Sequence, residues 1–220
     1  MYRNRFVWGL CVLFLFEACA GHMSLPFAKG RSVRPKILPR LGWIESMPSA
    51  NYLQQVPAFL TILDTPHDYE PSNPGAYLSW MIDEYIDEDG VGDVPVHYII
   101  DQKGGILAGR PVNTQGELRY GDSFFRAEVP DNHPLRGKRI DTESHILVLV
   151  LGDYSNGPMP EKQDEAMRDL IQWLMLDQSI SIMNVAGFRR YLPDSANPGA
   201  YLYEHTTEVM LDIARARRGV

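Results

Sequence analysis

Two kinds of hydrophobic pattern run along this 220-residue chain. Residues 56–63 and 145–151 are unbroken aliphatic and β-branched runs, stopped by Asp64-Thr65-Pro66 and by Gly152-Asp153, which predicts strands buried on both faces. Apolar residues spaced by three and four predict amphipathic helices over 75–87 (Tyr77, Leu78, Met81, Ile82, Ile86), 160–176 (Met167, Leu170, Ile171, Leu174, Met175) and 200–217 (Tyr203, Val209, Met210, Ile213). The acids of 83–89 read as the solvated face and exit of the first helix. Arg215, Arg217 and Arg218 sit where cations suit the last turn of the third. Segments 94–101 and 106–108 flank Gln102-Lys103-Gly104-Gly105 and predict a hairpin. Residues 112–142, rich in Arg, Asp and Gly and without periodicity, predict a functional surface loop. No repeat or second linker interrupts the chain from residue 35 onward, so one domain is expected over 35–220, an α/β domain with a mixed central β-sheet flanked by helices.

The amino terminus has a different character. Arg3 and Arg5 precede an uncharged run, 6–16, that is too short to span a bilayer and reads as the hydrophobic part of an export signal. Glu17-Ala18-Cys19-Ala20-Gly21 then offers two exits, cleavage after Ala20 or lipidation at Cys19. A signal over 1–20 and a flexible linker over 21–34 follow, placing the chain in the periplasm or on the outer membrane as a lipoprotein. Composition narrows the partners. With 21 Lys+Arg against 28 Asp+Glu, a net charge of -7 and no basic run, nucleic acid is excluded as a natural partner. Both cysteines, Cys11 and Cys19, lie in the first twenty residues, so the domain has neither a disulfide framework nor a cysteine-based zinc site.

The order and spacing of several strings carry a resemblance. They are Pro35-Lys36-Ile37-Leu38-Pro39-Arg40-Leu41-Gly42-Trp43, the strand ending at Thr65, Val96-His97-Tyr98, Gly109-Arg110-Pro111, the strand and Gly152 followed by Gln163 and a helix, and finally Gly187-Phe188-Arg189 with Asn197-Pro198-Gly199. Together they resemble the zinc N-acetylmuramoyl-L-alanine amidases and the related peptidoglycan-recognition proteins, over nearly the whole folded part. The resemblance implies that family's single-domain fold and a muropeptide groove.

In active members of that family three side chains hold a zinc and leave a fourth position for water. The resemblance places those ligands at Leu63, Phe188 and Asn197. Leucine and phenylalanine have no lone pair to offer, and a neutral amide is a poor zinc ligand beside imidazole, thiolate or carboxylate. Three auxiliary positions carry Val96, Leu149 and Ser195 in place of a Tyr, a Glu and a Lys. The chain therefore reads as a degenerate member, with no cofactor and no catalytic residue. Its expected function is to bind peptidoglycan or a muramyl peptide in the envelope, through groove residues Asp64, His67, Arg110 and Asn197.

Two alternatives stand beside that reading: a protein-interaction module that regulates an envelope hydrolase or secretion component, and an active amidase with a displaced metal site. The last would use Asp64 and His67, an Asp-x-x-His at a strand end, with His97, His145 or His205; otherwise Asp64 caps a turn and His67 is a surface residue. A triad of Asp141, Ser144 and His145 is disfavoured, because adjacent strand residues point to opposite faces. Arg110 is expected to meet either a muropeptide carboxylate or a local acid. Trp43, Tyr98, Tyr120, Phe124 and Phe125 are either core aromatics or a sugar-stacking face.

Overall fold

The computed structural model describes residues 33–43, 53–65, 78, 80–81, 93–121, 132–193 and 195–218. The expected export signal, most of the expected linker and His67, Phe124 and Phe125 lie outside the described residues, as does most of the predicted 75–87 helix. Of that helix, Leu78, Trp80 and Met81 are described and helical, with Leu78 and Met81 buried.

Among the described residues, eight strands and two long helices follow in chain order. They are β1 (Ile37–Leu38), β2 (Phe59–Asp64), β3 (Tyr98–Ile100), β4 (Ile106–Ala108), β5 (Leu118–Arg119), β6 (Arg139–Ile140), β7 (His145–Val150), α1 (Glu161–Asp177), β8 (Val185–Gly187) and α2 (Ala200–Arg218). Six strands form a sheet in the order β1-β4-β3-β7-β2-β8, with β3 and β4 antiparallel and every other pair parallel. The mixed central sheet flanked by helices is thus the architecture found.

Burial on both faces explains the aliphatic runs. Leu60, Ile62, Ile146, Val148 and Val150 face one way and pack with Met167, Leu170, Ile171 and Leu174 of α1 and Val209 and Ile213 of α2. Their neighbours Leu63, Leu147, Leu149 and Leu151 face the other way, against Leu78, Met81, Leu118, Ile140 and Phe188. Alternation along each strand therefore feeds two cores, and no polar face remains to produce a period of two.

Strand limits differ from the expectation for physical reasons. Val56 is 81% exposed and Pro57 has no N–H, so β2 starts at Phe59, after Ala58 and Phe59 have both donated to the Ser144 carbonyl. Asp64, expected as a stop, is the last residue of β2 in register with Val150. The hairpin turn between β3 and β4 is closed by Asp101, whose carboxylate accepts from the Lys103 and Gly105 amides while Gly104 takes φ 83°. Within 112–142, the strands β5 and β6 form a small antiparallel pair that lays Leu118 and Ile140 onto the second core. At the other edge of the chain, the Arg34 guanidinium sits 5.2 Å over the Trp173 ring of α1. No helix of the described residues is long and apolar enough to cross a membrane.

Candidate functional site

The carboxyl ends of β2 and β8 bring together the three positions to which the resemblance assigned ligands. Leu63 is 0% and Phe188 3% exposed, and both belong to one apolar cluster that also contains Val96 and Leu149. Phe188 opens the short 3-10 turn Phe188–Arg190 directly after β8, which swings its ring over the end of β2. Four of the six positions where the resemblance expects polar chemistry are therefore side chains of a closed hydrophobic core.

Asn197 is committed elsewhere. Its Oδ1 accepts from the Asp64 N–H at 3.1 Å, and its Nδ2 donates to the Asp64 carbonyl at 2.7 Å. The Ser195 hydroxyl accepts from the Asn197 N–H in turn. With two apolar side chains and an amide whose oxygen and nitrogen are both engaged, this donor set does not fit a zinc ion. Among the described residues no group of three His, Cys, Asp or Glu side chains could hold a metal ion.

Of the remaining groove candidates, the two described residues, Asp64 and Arg110, lie in the interior. Asp64 is 0% exposed, and its Oδ2 accepts from the Tyr154 N–H (3.2 Å) and the Gly199 N–H (2.9 Å). That approach needs glycine at 199, because a Cβ there would stand 2.3 Å from the Ser155 nitrogen. Arg110 is 4% exposed, donates from Nε to the Val94 carbonyl and from Nη1 to the Gln115 carbonyl, and lies 3.7 Å from the Asp93 carboxylate. Arg40 also pairs with Asp93, so one buried carboxylate joins two guanidinium groups. Of its two expected roles, Arg110 here meets the local acid. It sits at the amino-terminal approach to β3, bonded to the Val94 carbonyl.

The imagined triad is not assembled. His145 pairs through Nδ1 with the Thr61 hydroxyl at 2.8 Å, whereas Ser144, at φ 65°, serves through its carbonyl. Desolvation holds both His97 and His145 neutral, pushing each pKa down from 6.5 to about 4. His97 is bonded on both sides: Nδ1 accepts from the Leu147 N–H and Nε2 donates to the Thr114 carbonyl. It is an internal brace between β7 and the loop after β4. His205 instead bridges the two helices, Nε2 lying 2.7 Å from Asp164. Of the aromatics, Trp43 donates to the Ala108 carbonyl and Tyr98 meets Trp173 edge to face. Burial pushes the Tyr98 hydroxyl up to about 12.

Gln163 also proves structural: its Nε2 donates to the Ile100 and Leu151 carbonyls and its Oε1 accepts from the Tyr154 hydroxyl, pinning the ends of β3 and β7 to α1. Thr61 and Tyr191 escaped the sequence reading. Thr61 is a polar residue on the Leu63 side of β2, and that alternation was the available signal.

No protein-family model and no curated protein sequence matches the chain. Solved structures do. Drosophila peptidoglycan recognition protein SD superimposes with a TM-score of 0.59 at 14% identity, covering 77% of this chain and 91% of that one. Peptidoglycan recognition protein LE, in complex with tracheal cytotoxin, a monomeric diaminopimelic acid-type peptidoglycan, gives 0.58 at 19%, again over 77% and 91%. The endolysin N-acetylmuramoyl-L-alanine amidase LysCS from Clostridium intestinale gives 0.55 at 17%, over 80% and 96%. The chain has the single-domain α/β fold shared by peptidoglycan-recognition proteins and N-acetylmuramoyl-L-alanine amidases.

Proposed function

We propose that this chain is a catalytically silent amidase-fold protein of the bacterial envelope that binds peptidoglycan or a muramyl peptide. One observation carries the silence: Leu63, Val96, Leu149 and Phe188 pack together in a single buried cluster at the place where the fold's amidases need metal chemistry. Metal-bound water is what supplies hydroxide at neutral pH in such enzymes, and among the described residues no group of side chains replaces the ligands that would hold it. Binding is supported by the shared fold and by the tracheal cytotoxin held in one of the structures it resembles. Export through residues 1–20, with Cys19 as a possible lipid attachment, belongs to the same reading. In it, Asp64, Arg110 and Asn197 shape the groove walls from inside.

The test has two arms. Protein purified with zinc present is expected to contain well under one equivalent of metal and to release no peptide from muropeptides. Incubated with insoluble sacculi, it is expected to be retained above a control protein. Stoichiometric zinc with amide cleavage would overturn the silent reading and direct attention to Asp64 and His67. Absence of retention would overturn the binding reading and favour a protein partner.

A further inference from the structure

The sheet face that carries Leu63 and Leu149 is dry at the carboxyl ends of its strands, but at their amino-terminal ends it becomes polar and half-exposed. Phe59 and His145 lie opposite one another in register, their rings stacked at 4.8 Å and 19°. Tyr191, which follows the 3-10 turn of Phe188, stands edge-on to both, 4.6 Å from His145 at 88° and 5.9 Å from Phe59 at 75°. Beneath them Thr61, 0% exposed, holds His145 Nδ1 at 2.8 Å. A buried hydroxyl thus fixes the orientation of the imidazole, and the Tyr191 ring packs edge-on against it. All three rings are half-buried, and His145 Nε2 has no partner among the described residues and is not itself enclosed.

The chemistry on offer is specific. Ring faces give apolar area for a flat C–H surface. An imidazole that is neutral at physiological pH and a phenol give hydrogen-bonding edges beside it. Among the described residues, the charges felt here are Asp141 at His145 and Arg190 at Tyr191, one of each sign, which favours neither an anion nor a cation. A neutral, hydroxylated ring with an amide substituent matches all of these features.

We propose that Phe59, Tyr191 and His145, the last positioned by Thr61, form a binding site for a neutral N-acetylated hexosamine ring. The proposal deepens the peptidoglycan reading and rests on it, since it assigns recognition to the glycan and places it at the amino-terminal ends of the strands. His145 Nε2 and the Tyr191 hydroxyl contact the sugar's hydroxyl or acetamido groups, and the ring cluster takes its apolar face.

The experiment titrates the full chain with N,N′,N″-triacetylchitotriose, with maltotriose as the sugar lacking acetamido groups. Binding is read by calorimetry and by the ring 13C–1H signals of the six histidines, with His145 assigned by His145→Gln. Triacetylchitotriose is expected to shift the His145 signal. His145→Gln and Tyr191→Phe, which preserve most of the packing, are each expected to weaken binding by about tenfold, as for truncated hot-spot contacts. An unmoved His145 signal, or equal affinity for maltotriose, overturns the site. Sacculus retention that is undiminished in both variants overturns it too, while leaving the peptidoglycan reading intact. Triacetylchitotriose binding without sacculus retention would support the site and sink that reading.

Discussion

Replacing Phe188 by Ala tests the account of the apolar cluster most directly. Phe188 is 3% exposed and its cluster partners include Leu63, Leu149 and Val96, all at 0%. Truncation removes a benzyl group that is almost wholly withdrawn from water, worth about 2–3 kcal/mol in transfer free energy. Leu63 and Leu149 sit on sheet strands tied by ladder bonds, the Val96 carbonyl is held by the Arg110 N–H, and the cluster cannot collapse fully, so a void on the order of 50–100 Å³ remains and adds roughly 1–2 kcal/mol. The sum is about 3–5 kcal/mol, which for a domain of this size lowers Tm by roughly 6–20 °C. Urea unfolding followed by tryptophan fluorescence gives the number, with Phe188→Leu as a control that keeps most of the volume and loses less than about 1.5 kcal/mol. A Phe188→Ala protein within about 0.5 kcal/mol of the parent would show an exposed ring and refute the packed cluster, together with the argument for silence built on it.

Other outcomes follow from the same geometry. Asn197→Ala removes both bonds to the Asp64 main chain and is expected to cost about 2–3 kcal/mol. Asn197→Asp should cost more than Ala, because it sets a carboxylate oxygen against the Asp64 carbonyl; equal melts for the two variants would contradict that bonding. Combining it with Leu63→His and Phe188→His should destabilise the metal-free domain further, and zinc should raise the Tm of the triple variant only if the backbone holds the three groups at ligand distance. His97 binds a proton more weakly folded, at about 4, than unfolded, at 6.5, so its contribution is complete above pH 6.5 and is lost as pH falls toward 4. That loss is about 3 kcal/mol, and urea midpoints measured between pH 7 and 4 should fall less steeply in His97→Gln. Gln163→Leu strands the Ile100 and Leu151 carbonyls and the Tyr154 hydroxyl, and a loss of about 3 kcal/mol is expected in thermal or urea melts.

How far the sequence reveals this molecule depends on the range of the interaction involved. The run at 145–151 and the stripe of Met167, Leu170, Ile171 and Leu174 are legible because one local pattern contains their whole burial. β1 and β8 are two and three residues long and carry no period, so their pairing depends on neighbours distant in the chain. Asp64 reads as a strand stop, yet Val150 of β7 pairs with it and the Asn197 amide, 133 residues later, bonds its main chain. The meeting of Leu63 with Phe188 was visible only through the spacing of motifs, since nothing local marks either residue. Arg110 looks functional in a string of letters because a polar residue beside glycine usually faces solvent, and Gln163 reads there only as part of a motif. Here they satisfy backbone carbonyls inside the fold, a role that becomes visible only once those carbonyls have been placed. Thr61 was passed over for the opposite reason, as one hydroxyl inside an apolar strand.

The pairing of the Asn197 amide with Asp64 also bears on how the molecule avoids sticking to copies of itself. β8 accompanies β2 only as far as Ile62 opposite Gly187, and then turns away into the Phe188 helix. Beyond that point the outer edge of β2 would offer an open N–H and C=O to any passing strand, the usual starting point for edge-to-edge aggregation. A primary amide carries the same donor and acceptor as a peptide group, and Asn197 uses both to supply the missing rung of the ladder. One side chain thus completes the sheet where its edge strand runs out, and the edge stays closed without any lengthening of β8.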